Sequence, residues 1–165
     1  MKMGLILKDK IPMFKVGYPT VSDKYNITGG MLTGTAPVKF GDLVKFSTTA
    51  GYFEAITGAV TLADIAGFTL ATNVKVAEDW PATKVQINPG EAFNLVLPGS
   101  YLAIELDAGA NEAHVKANKP VGVILATGKC TTEVATSTAP ALPGVVFTGL
   151  VEKHGDKLVA EIYVK

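Results

Sequence analysis

The chain contains no arginine: all fifteen of its basic residues are lysine, and they balance fifteen acidic residues to give zero net charge. Arginine supplies the planar fork that grips phosphates and guanine, so its absence argues against a nucleic-acid clamp or a phosphoryl-transfer site. Zero net charge also removes the non-specific attraction that draws basic domains to nucleic acids and anionic membranes. We therefore expect neither a nucleic acid nor a membrane as partner.

Cysteine and long apolar runs are scarce as well. The single cysteine, Cys130, has no second cysteine with which to form an internal disulfide, so nothing indicates an oxidising compartment. Near the N-terminus, the apolar run Gly4-Leu5-Ile6-Leu7 ends at Lys8. This run is too short for the core of a signal peptide or for a membrane span. The sequence thus predicts a protein that works where it is made, or that something else carries out of the cell.

The sequence offers few residues for catalysis or metal binding. His114 and His154 have no partner at metal-ligand spacing, and we interpret both as surface imidazoles. A reactive thiolate at Cys130 is the alternative to an inert one, and a cysteine near a strand end is usually inert. The spacing of the acidic residues indicates no acid–base pair among Asp42, Asp64, Glu105, Asp107 and Glu161. We predict no enzyme activity, no catalytic residues, no cofactor and no metal ion.

Glycine and proline are what the chain has in quantity. The 17 glycines and 9 prolines separate short apolar runs rich in valine, isoleucine, threonine, phenylalanine and tyrosine, a pattern that favours strands over helices. A chain of 165 residues fits one domain and buries roughly 70% of its unfolded surface. We predict an all-β fold: a single compact β-barrel or sandwich of short antiparallel strands, with an internal pseudo-repeat and an extended N-terminal arm.

Two segments of the chain echo each other, at residues 41–72 and 99–127. Each opens on glycine and a small polar residue, continues in a strand-like run, and closes on glycine, two variable residues and Leu-Ala-Thr. We interpret them as a strand, turn, strand, strand unit used twice in one domain. The alternative is that two β segments share turn chemistry by chance. One helical turn is predicted within each unit, at Thr61–Ala66 and at Ala110–Val115.

The flanking regions complete the predicted organisation. Residues 1–28 form an N-terminal arm and loop, and residues 29–165 form the β domain. Turn residues around Thr28-Gly29-Gly30 predict an exposed loop there. The clearest signal is a C-terminal hairpin over residues 145–165, which turns at Lys153–Asp156. Its last strand alternates, with one apolar face made of Leu158, Ala160, Ile162 and Val164.

The order of several turn and strand-start motifs suggests a family. These motifs are Gly41-Asp42-Leu43-Val44, Gly67-Phe68-Thr69-Leu70-Ala71, Pro89-Gly90-Glu91-Ala92-Phe93-Asn94, Gly99-Ser100-Tyr101-Leu102-Ala103-Ile104, Pro120-Val121-Gly122 and Phe147-Thr148-Gly149. In this order they resemble the head decoration, or structural cement, proteins of tailed bacteriophages. The resemblance covers the chain from about Gly29 to its end, and residues 1–28 match nothing in the family pattern.

The resemblance implies a structural virion protein that is assembled in the host cytoplasm. Such a protein would bind the outside of the expanded capsid, bridge major capsid subunits, and resist the pressure of packaged DNA. Its partners would be the major capsid protein and further copies of itself, as a dimer or trimer. We hypothesise that Met3–Phe14 adds a strand to a capsid subunit or to a sister protomer. The candidate contact residues in that arm are Leu5, Ile6, Leu7, Ile11, Met13 and Phe14.

Two alternative functions remain open. A head-fibre base or another virion appendage would share the β fold and the lack of catalytic motifs. A carbohydrate-binding β module would need exposed coplanar aromatic side chains, for which Trp80, Tyr52, Phe53 and Tyr101 are the candidates.

Overall fold

The computed structural model describes residues 15–21, 24–71, 86–135 and 137–165. The described residues are mostly strands, so the predicted all-β fold is confirmed. The strands are β1 (Asn26–Thr33), β2 (Val38–Lys39), β3 (Leu43–Phe46), β4 (Tyr52–Ala55), β5 (Ile65–Leu70), β6 (Gln86–Ile87), β7 (Ala92–Leu97), β8 (Ser100–Glu105), β9 (Pro120–Ile124), β10 (Lys129–Thr131), β11 (Ala141–His154) and β12 (Lys157–Val164). Short 3₁₀ helices at Leu62–Asp64 and Glu112–His114 confirm the two predicted helical turns.

Five strands close into a barrel in the order β1-β4-β3-β5-β7, and β7 pairs back onto β1; we call this the first barrel. Its strand pairs are antiparallel except β1 with β4, which run parallel. The small sheet of β2 and β6 adds side chains to the same apolar interior. That interior consists of Leu32, Val38, Phe40, Val44, Phe53, Ala71, Ile87, Phe93 and Leu95.

The predicted loop around Thr28-Gly29-Gly30 is wrong, because these residues lie inside β1. Tertiary packing explains the glycine at position 30. A Cβ atom placed there would lie 2.5 Å from Cε2 of Phe53, inside the barrel. The glycine therefore makes room for an aromatic ring from another strand, a requirement that local turn chemistry does not reveal.

The remaining five strands form a second sheet in the order β10-β9-β11-β12-β8. An isolated parallel bridge between Leu106 and Cys130 joins the two outer strands of this second sheet at one point. The predicted C-terminal hairpin is confirmed as β11 and β12, with His154 paired to Lys157 across Gly155-Asp156. Gly155 has φ of 63°, which fits a first central residue of a tight hairpin turn.

The two halves share one apolar core. The predicted apolar face of β12 points into it: Ala160 and Ile162 are fully buried, and Leu158 and Val164 pack against them. Side chains from the outer surface of the first barrel join the same cluster, namely Leu43, Phe68, Leu70 and Val96. Because one cluster spans both halves, we expect them to unfold together.

The two halves also share one order of connections. Counted in chain order, the strands of the first barrel are β1, β3, β4, β5 and β7, and those of the second sheet are β8 to β12. In each set the first strand runs parallel to the third, and the second and third form a hairpin. The fourth strand pairs with the second, and the fifth pairs with the first. In this arrangement β8 occupies the position of β1, and β9 occupies the position of β3. The predicted repeat units instead place β3 and β8 at corresponding positions, so the sequence echo of segments 41–72 and 99–127 does not follow this strand order. The use of one unit twice stays a prediction.

Residues 17–20 and Lys24 lie along the outer edge of β8, the edge that faces away from β12. Gly17 N–H donates to the Ala103 carbonyl at 2.8 Å, and Ala103 N–H donates to the Tyr18 carbonyl at 3.2 Å. Thr20 N–H donates to the Tyr101 carbonyl at 3.3 Å, and Tyr101 N–H donates to the Lys24 carbonyl at 3.1 Å. The chain thus covers this sheet edge with its own backbone before it enters β1.

Candidate interaction surface

The predicted contact residues of the arm, Leu5, Ile6, Leu7, Ile11, Met13 and Phe14, lie outside the described residues. Their role in contacts stays a prediction. The surface described below is built from other residues.

Large apolar side chains are exposed mainly on the first barrel. Five of them belong to β1, the residue before it, β3 and β4: Tyr25, Ile27, Met31, Phe46 and Tyr52. Met31 and Tyr52 are direct neighbours across the parallel pair of β1 and β4. On the second half, the exposed large apolar side chains of the described residues are Val134 and Leu150. Exposed apolar side chains grouped on neighbouring strands are typical of protein interaction sites.

The position of Phe46 links this surface to the barrel interior. Its side chain is 57% exposed, and its ring centroid lies 6.0 Å from that of Phe53. Phe53 in turn meets Phe93 edge-on at 5.6 Å inside the barrel. Phe46 is therefore held against a packed aromatic group rather than left to move freely in solvent.

Two ion pairs involve charged residues of the first barrel. Lys45 Nζ lies 3.3 Å from Glu54 Oε2, and the Ser47 hydroxyl donates to Glu54 Oε1 at 3.0 Å. The hydrogen bond from Ser47, and then that from Lys45, lower the pKa of Glu54 below its ordinary value. Asp42 pairs with Lys129 at 3.0 Å across the junction of the two halves. The surface therefore offers apolar area bordered by neutralised charges, and a partner needs no strong net charge to bind it.

The candidate chemical groups form no catalytic arrangement in the described part of the chain. Burial, and then the nearby charge of Asp42, raise the pKa of the Cys130 thiol to about 12, so the thiol stays protonated and inert at neutral pH. His114 pairs with Glu133, and His154 lies 3.5 Å from Glu152. No group of three or more metal-ligating side chains was found among the described residues.

The acidic residues singled out in the sequence are also engaged in structural contacts. Asp64 accepts hydrogen bonds from the backbone and hydroxyl of Thr61, each 2.8 Å, which lowers the pKa of Asp64. Glu105 pairs with Lys157 at 2.8 Å. Glu161 is buried and accepts a 2.6 Å hydrogen bond from the Thr148 hydroxyl. These carboxylates serve helix capping, ion pairing and strand packing.

Two open grooves of about 300 Å³ each lie on the described surface. One lies where the two halves meet and is lined mainly by apolar residues that include Leu62, Phe68 and Leu142. The other is polar and contains the His114–Glu133 pair. Within the described chain, no helix is both long enough and apolar enough to cross a lipid bilayer.

The aromatic residues proposed for a carbohydrate platform do not lie on one common face. Phe53 is buried inside the first barrel, whereas Tyr101 belongs to the second sheet and stacks on Tyr163 at 4.6 Å. Tyr52 is exposed on β4, and Trp80 lies outside the described residues.

Sequence reasoning missed the apolar surface of the first barrel. The signal was present in Tyr25, Ile27 and Met31, which recur at even spacing, but the glycines between them indicated a loop. Once β1 is known to be a strand, this spacing places all three side chains on one face.

The chain has the same fold as a protein in a structure titled "The capsid of Myoviridae Phage XM1", with a TM-score of 0.71 and 17% sequence identity over 100% of this chain and 98% of the other. No curated protein matches the sequence. A family model described as structural cement protein (E217 gp24/Pam3 gp6) matches residues 12–164, so the expectation that residues 1–28 lie outside the family pattern is wrong for residues 12–28. This match over most of the chain confirms the resemblance found in the motif order: the chain belongs to the structural cement protein family of bacteriophages and is a structural, capsid-associated protein of the virion.

Proposed function

We propose that this protein binds the outer surface of the expanded capsid and stabilises it by bridging neighbouring major capsid subunits. Membership of the cement family supports a capsid partner. The observation that carries the bridging role is the exposure of large apolar side chains on both halves, Phe46 on the first barrel and Leu150 on the second sheet. A bridging protein needs two separate contact surfaces, and the two packed halves supply them.

Stabilisation then follows from mass action. A protein that binds the expanded lattice and not its precursor shifts the equilibrium toward the expanded form without any chemical step. Repetition across a symmetric shell multiplies a modest affinity at each site. Copies of the chain are proposed to associate as a dimer or trimer at symmetry axes of the capsid.

The test is co-sedimentation of the purified protein with expanded capsids that lack it, and with unexpanded precursor capsids. We expect retention on the expanded form alone, and expanded shells that resist heating better with the protein than without it. Phe46→Ser and Leu150→Ser should each weaken binding by about tenfold or more, since each removes an apolar side chain worth about 1.5–3 kcal/mol when fully buried. Gly58→Ser, in an exposed loop with open space around it, is the matched control and should bind normally.

Equal retention on both capsid forms, or full binding by the double variant of Phe46 and Leu150, would contradict this proposal. Thermal midpoints of each variant must be measured alongside, because the Phe46 ring also contacts Phe53.

The arm is proposed as an additional contact. Residues 3–14 are proposed to add a strand to a capsid subunit or a sister protomer, a role supported by their apolar composition. Deleting residues 1–10 should weaken co-sedimentation while leaving the thermal midpoint of the β domain unchanged. A folded deletion variant that binds capsids as well as the full chain would refute the arm.

A further inference from the structure

The strand β1 has an open outer edge over its first half. Leu32 directs its backbone groups toward β7: its N–H donates to the Glu91 carbonyl at 3.0 Å, and its carbonyl accepts from Gly90 at 2.8 Å. Since backbone groups alternate sides along a strand, the odd-numbered residues direct theirs toward the opposite edge. β4 pairs there with Met31–Thr33. Within the described chain, Ile27 and Gly29 have no strand beside them on that edge.

The side chains along this edge do nothing to block another strand. Residues 25–33 contain no charged residue and no proline, whereas exposed strand edges are usually protected by lysine, proline or a bulge. Ile27 is 39% exposed, and a Cβ atom added to Gly29 would meet nothing within 4 Å. Among the described residues, therefore, none pairs with this edge, and the exposure of Ile27 leaves it accessible.

The molecule itself shows how such an edge is filled. Leu32 in the first barrel and Leu106 in the second sheet each pair in parallel with a residue of the third strand. When these two leucines are aligned, Tyr101 corresponds to Ile27 and Ala103 corresponds to Gly29. The backbone groups of Tyr101 and Ala103 are all taken by residues 17–20 and Lys24, and Pro19 bridges antiparallel to Leu102 of β8. The edge of β1 has the same geometry, and no residue that the structure describes covers it.

We propose that a second copy of the chain covers this edge, with β1 of one copy pairing antiparallel to β1 of the other about a two-fold axis at Thr28. This register places Ile27 of each copy opposite Gly29 of the other, so that both edge residues of both copies exchange backbone hydrogen bonds. The open space at Gly29 receives the isoleucine side chain from the second copy. The inference rests on the self-association included in the proposed function, and not on capsid binding.

The surroundings of the edge fit the same partner. β4 occupies the edge from Met31 onward, which limits the new pairing to the central residues of the open half. The same register brings Tyr25 of one copy toward Met31 and Tyr52 of the other. All three of these side chains are exposed in the single chain, and the pairing would cover them. The chain has zero net charge, so two copies approach without net repulsion.

The first test is the mass of the full chain, free of capsid, measured by sedimentation velocity over a range of concentrations. We expect a dimer. Gly29→Pro removes the edge N–H of Gly29 without removing a hydrogen bond to β7, and it should weaken the dimer by about tenfold or more. Gly29→Ala keeps the N–H and is the matched control, which should still dimerise. Circular dichroism and a thermal melt establish that both variants fold.

The second test fixes the register with cysteine crosslinks. In an antiparallel pair centred on Thr28, the two Thr28 residues are directly opposite in a non-hydrogen-bonded pair, with Cα atoms about 4.5 Å apart. Thr28→Cys should therefore form a disulfide between copies under mild oxidation. Ile27→Cys is the control, because its two copies lie diagonally, beyond the reach of about 7 Å that a disulfide allows. The native Cys130 is buried and gives no background.

The outcomes separate this inference from the wider proposal. A chain that remains monomeric at all concentrations overturns both the self-association and the pairing of β1. A dimer that survives Gly29→Pro and gives no crosslink at Thr28→Cys overturns the pairing of β1 alone. If Gly29→Pro abolishes capsid retention of a chain that is monomeric in solution, the edge belongs to a capsid subunit, and the self-pairing is wrong.

Discussion

The strands β1 and β8 hold the same position in the two halves of the molecule, yet their outer edges differ. Residues 17–20 and Lys24 cover the edge of β8 and hydrogen-bond to Tyr101 and Ala103, whereas no described residue covers the corresponding edge of β1 at Ile27 and Gly29. Two sets of strands with the same order of connections can thus differ in which strand edge is covered.

The difference extends to the side chains. Five of the exposed large apolar residues named above belong to the first barrel and its entry, and two belong to the second half. The second sheet directs its apolar residues into the core that both halves share. The first barrel has its own interior and presents further apolar residues outward, which makes it the side better suited to a partner.

The largest expected effect tests whether the two halves form one folding unit. Phe147 is 1% exposed in the shared core, and Phe147→Ala should lower the free energy of unfolding by about 3–5 kcal/mol. Leu150→Ala, on the same strand but 48% exposed, is the control and should change it by less than about 0.5 kcal/mol. Urea unfolding should show one transition in both variants. If the first barrel of the Phe147→Ala variant keeps its amide protection after the second sheet unfolds, the two halves are separate folding units.

The next prediction concerns the segment that begins at Gly17 and covers the edge of β8. If that segment is displaced, the edge of β8 becomes open like that of β1. Gly17 has φ of 78°, and a Cβ atom there would lie 2.3 Å from Cβ of Phe40. Gly17→Ala should destabilise the fold by about 2–3 kcal/mol through backbone strain and the steric clash. It should also speed hydrogen exchange at the amides of Tyr101 and Ala103, which bond to this segment.

Gly51→Ala provides the control for that change. Gly51 also has a positive φ, of 81°, but open space around it, so only the conformational cost of about 1 kcal/mol is expected. Unchanged exchange at Tyr101 and Ala103 in the Gly17→Ala variant would show that the cover does not depend on Gly17.

A smaller effect separates the two neighbouring glycines of β1. Gly30→Ala should cost about 1–2 kcal/mol, because the added methyl group meets the Phe53 ring inside the barrel and the ring has to shift. Gly29→Ala points into open space and should change the stability of the single chain by only a few tenths of a kcal/mol. Thermal melts of dilute protein measure both. Equal costs at the two positions would contradict the assigned orientation of β1.

The smallest effects come from pH, and the two halves should respond at opposite ends of the scale. In the first barrel, hydrogen bonds lower the pKa of Glu54 and Asp64, so the stability they contribute is present above their ordinary values of 4.5 and 3.8 and is lost as pH falls below them. In the second sheet, the hydrogen bond to Glu105 raises the pKa of Lys157. Its contribution is present below pH 10.5 and is lost as pH rises through the higher folded value.

Variants assign these pH effects to their groups. Asp64→Asn should reduce the fall of the thermal midpoint at acid pH, and Lys157→Gln should reduce the fall of the thermal midpoint at alkaline pH. Each reduction should be small because the groups are exposed to solvent. The assignment fails if either variant keeps the full pH dependence of the parent chain.

Sequence patterns predicted the parts of the fold that depend on local periodicity. The hairpin of β11 and β12 was predictable because its alternation and its Gly155-Asp156 turn are both local signals. The two 3₁₀ turns fell within the predicted segments for the same reason.

Other parts were not predictable from local signals. The pair Gly29-Gly30 is typical of a turn and predicts a loop, and only the Phe53 ring from another strand explains Gly30. The candidate arm residues lie outside the described chain, while the exposed apolar surface and the open edge of β1 were not foreseen. Both depend on which strand lies beside β1, a contact between residues far apart in sequence.

Composition and alternation alone determined that the chain is all-β, that it carries no recognisable catalytic motif, and, through the order of its motifs, that it resembles phage cement proteins. Strand pairing in three dimensions decided the rest: which edge the chain covers with its own backbone and which edge no described residue covers. The physical reason is that the alternation of side chains along a strand depends only on the residues of that strand. Its backbone hydrogen bonds depend on neighbouring strands, which only the folded chain brings together.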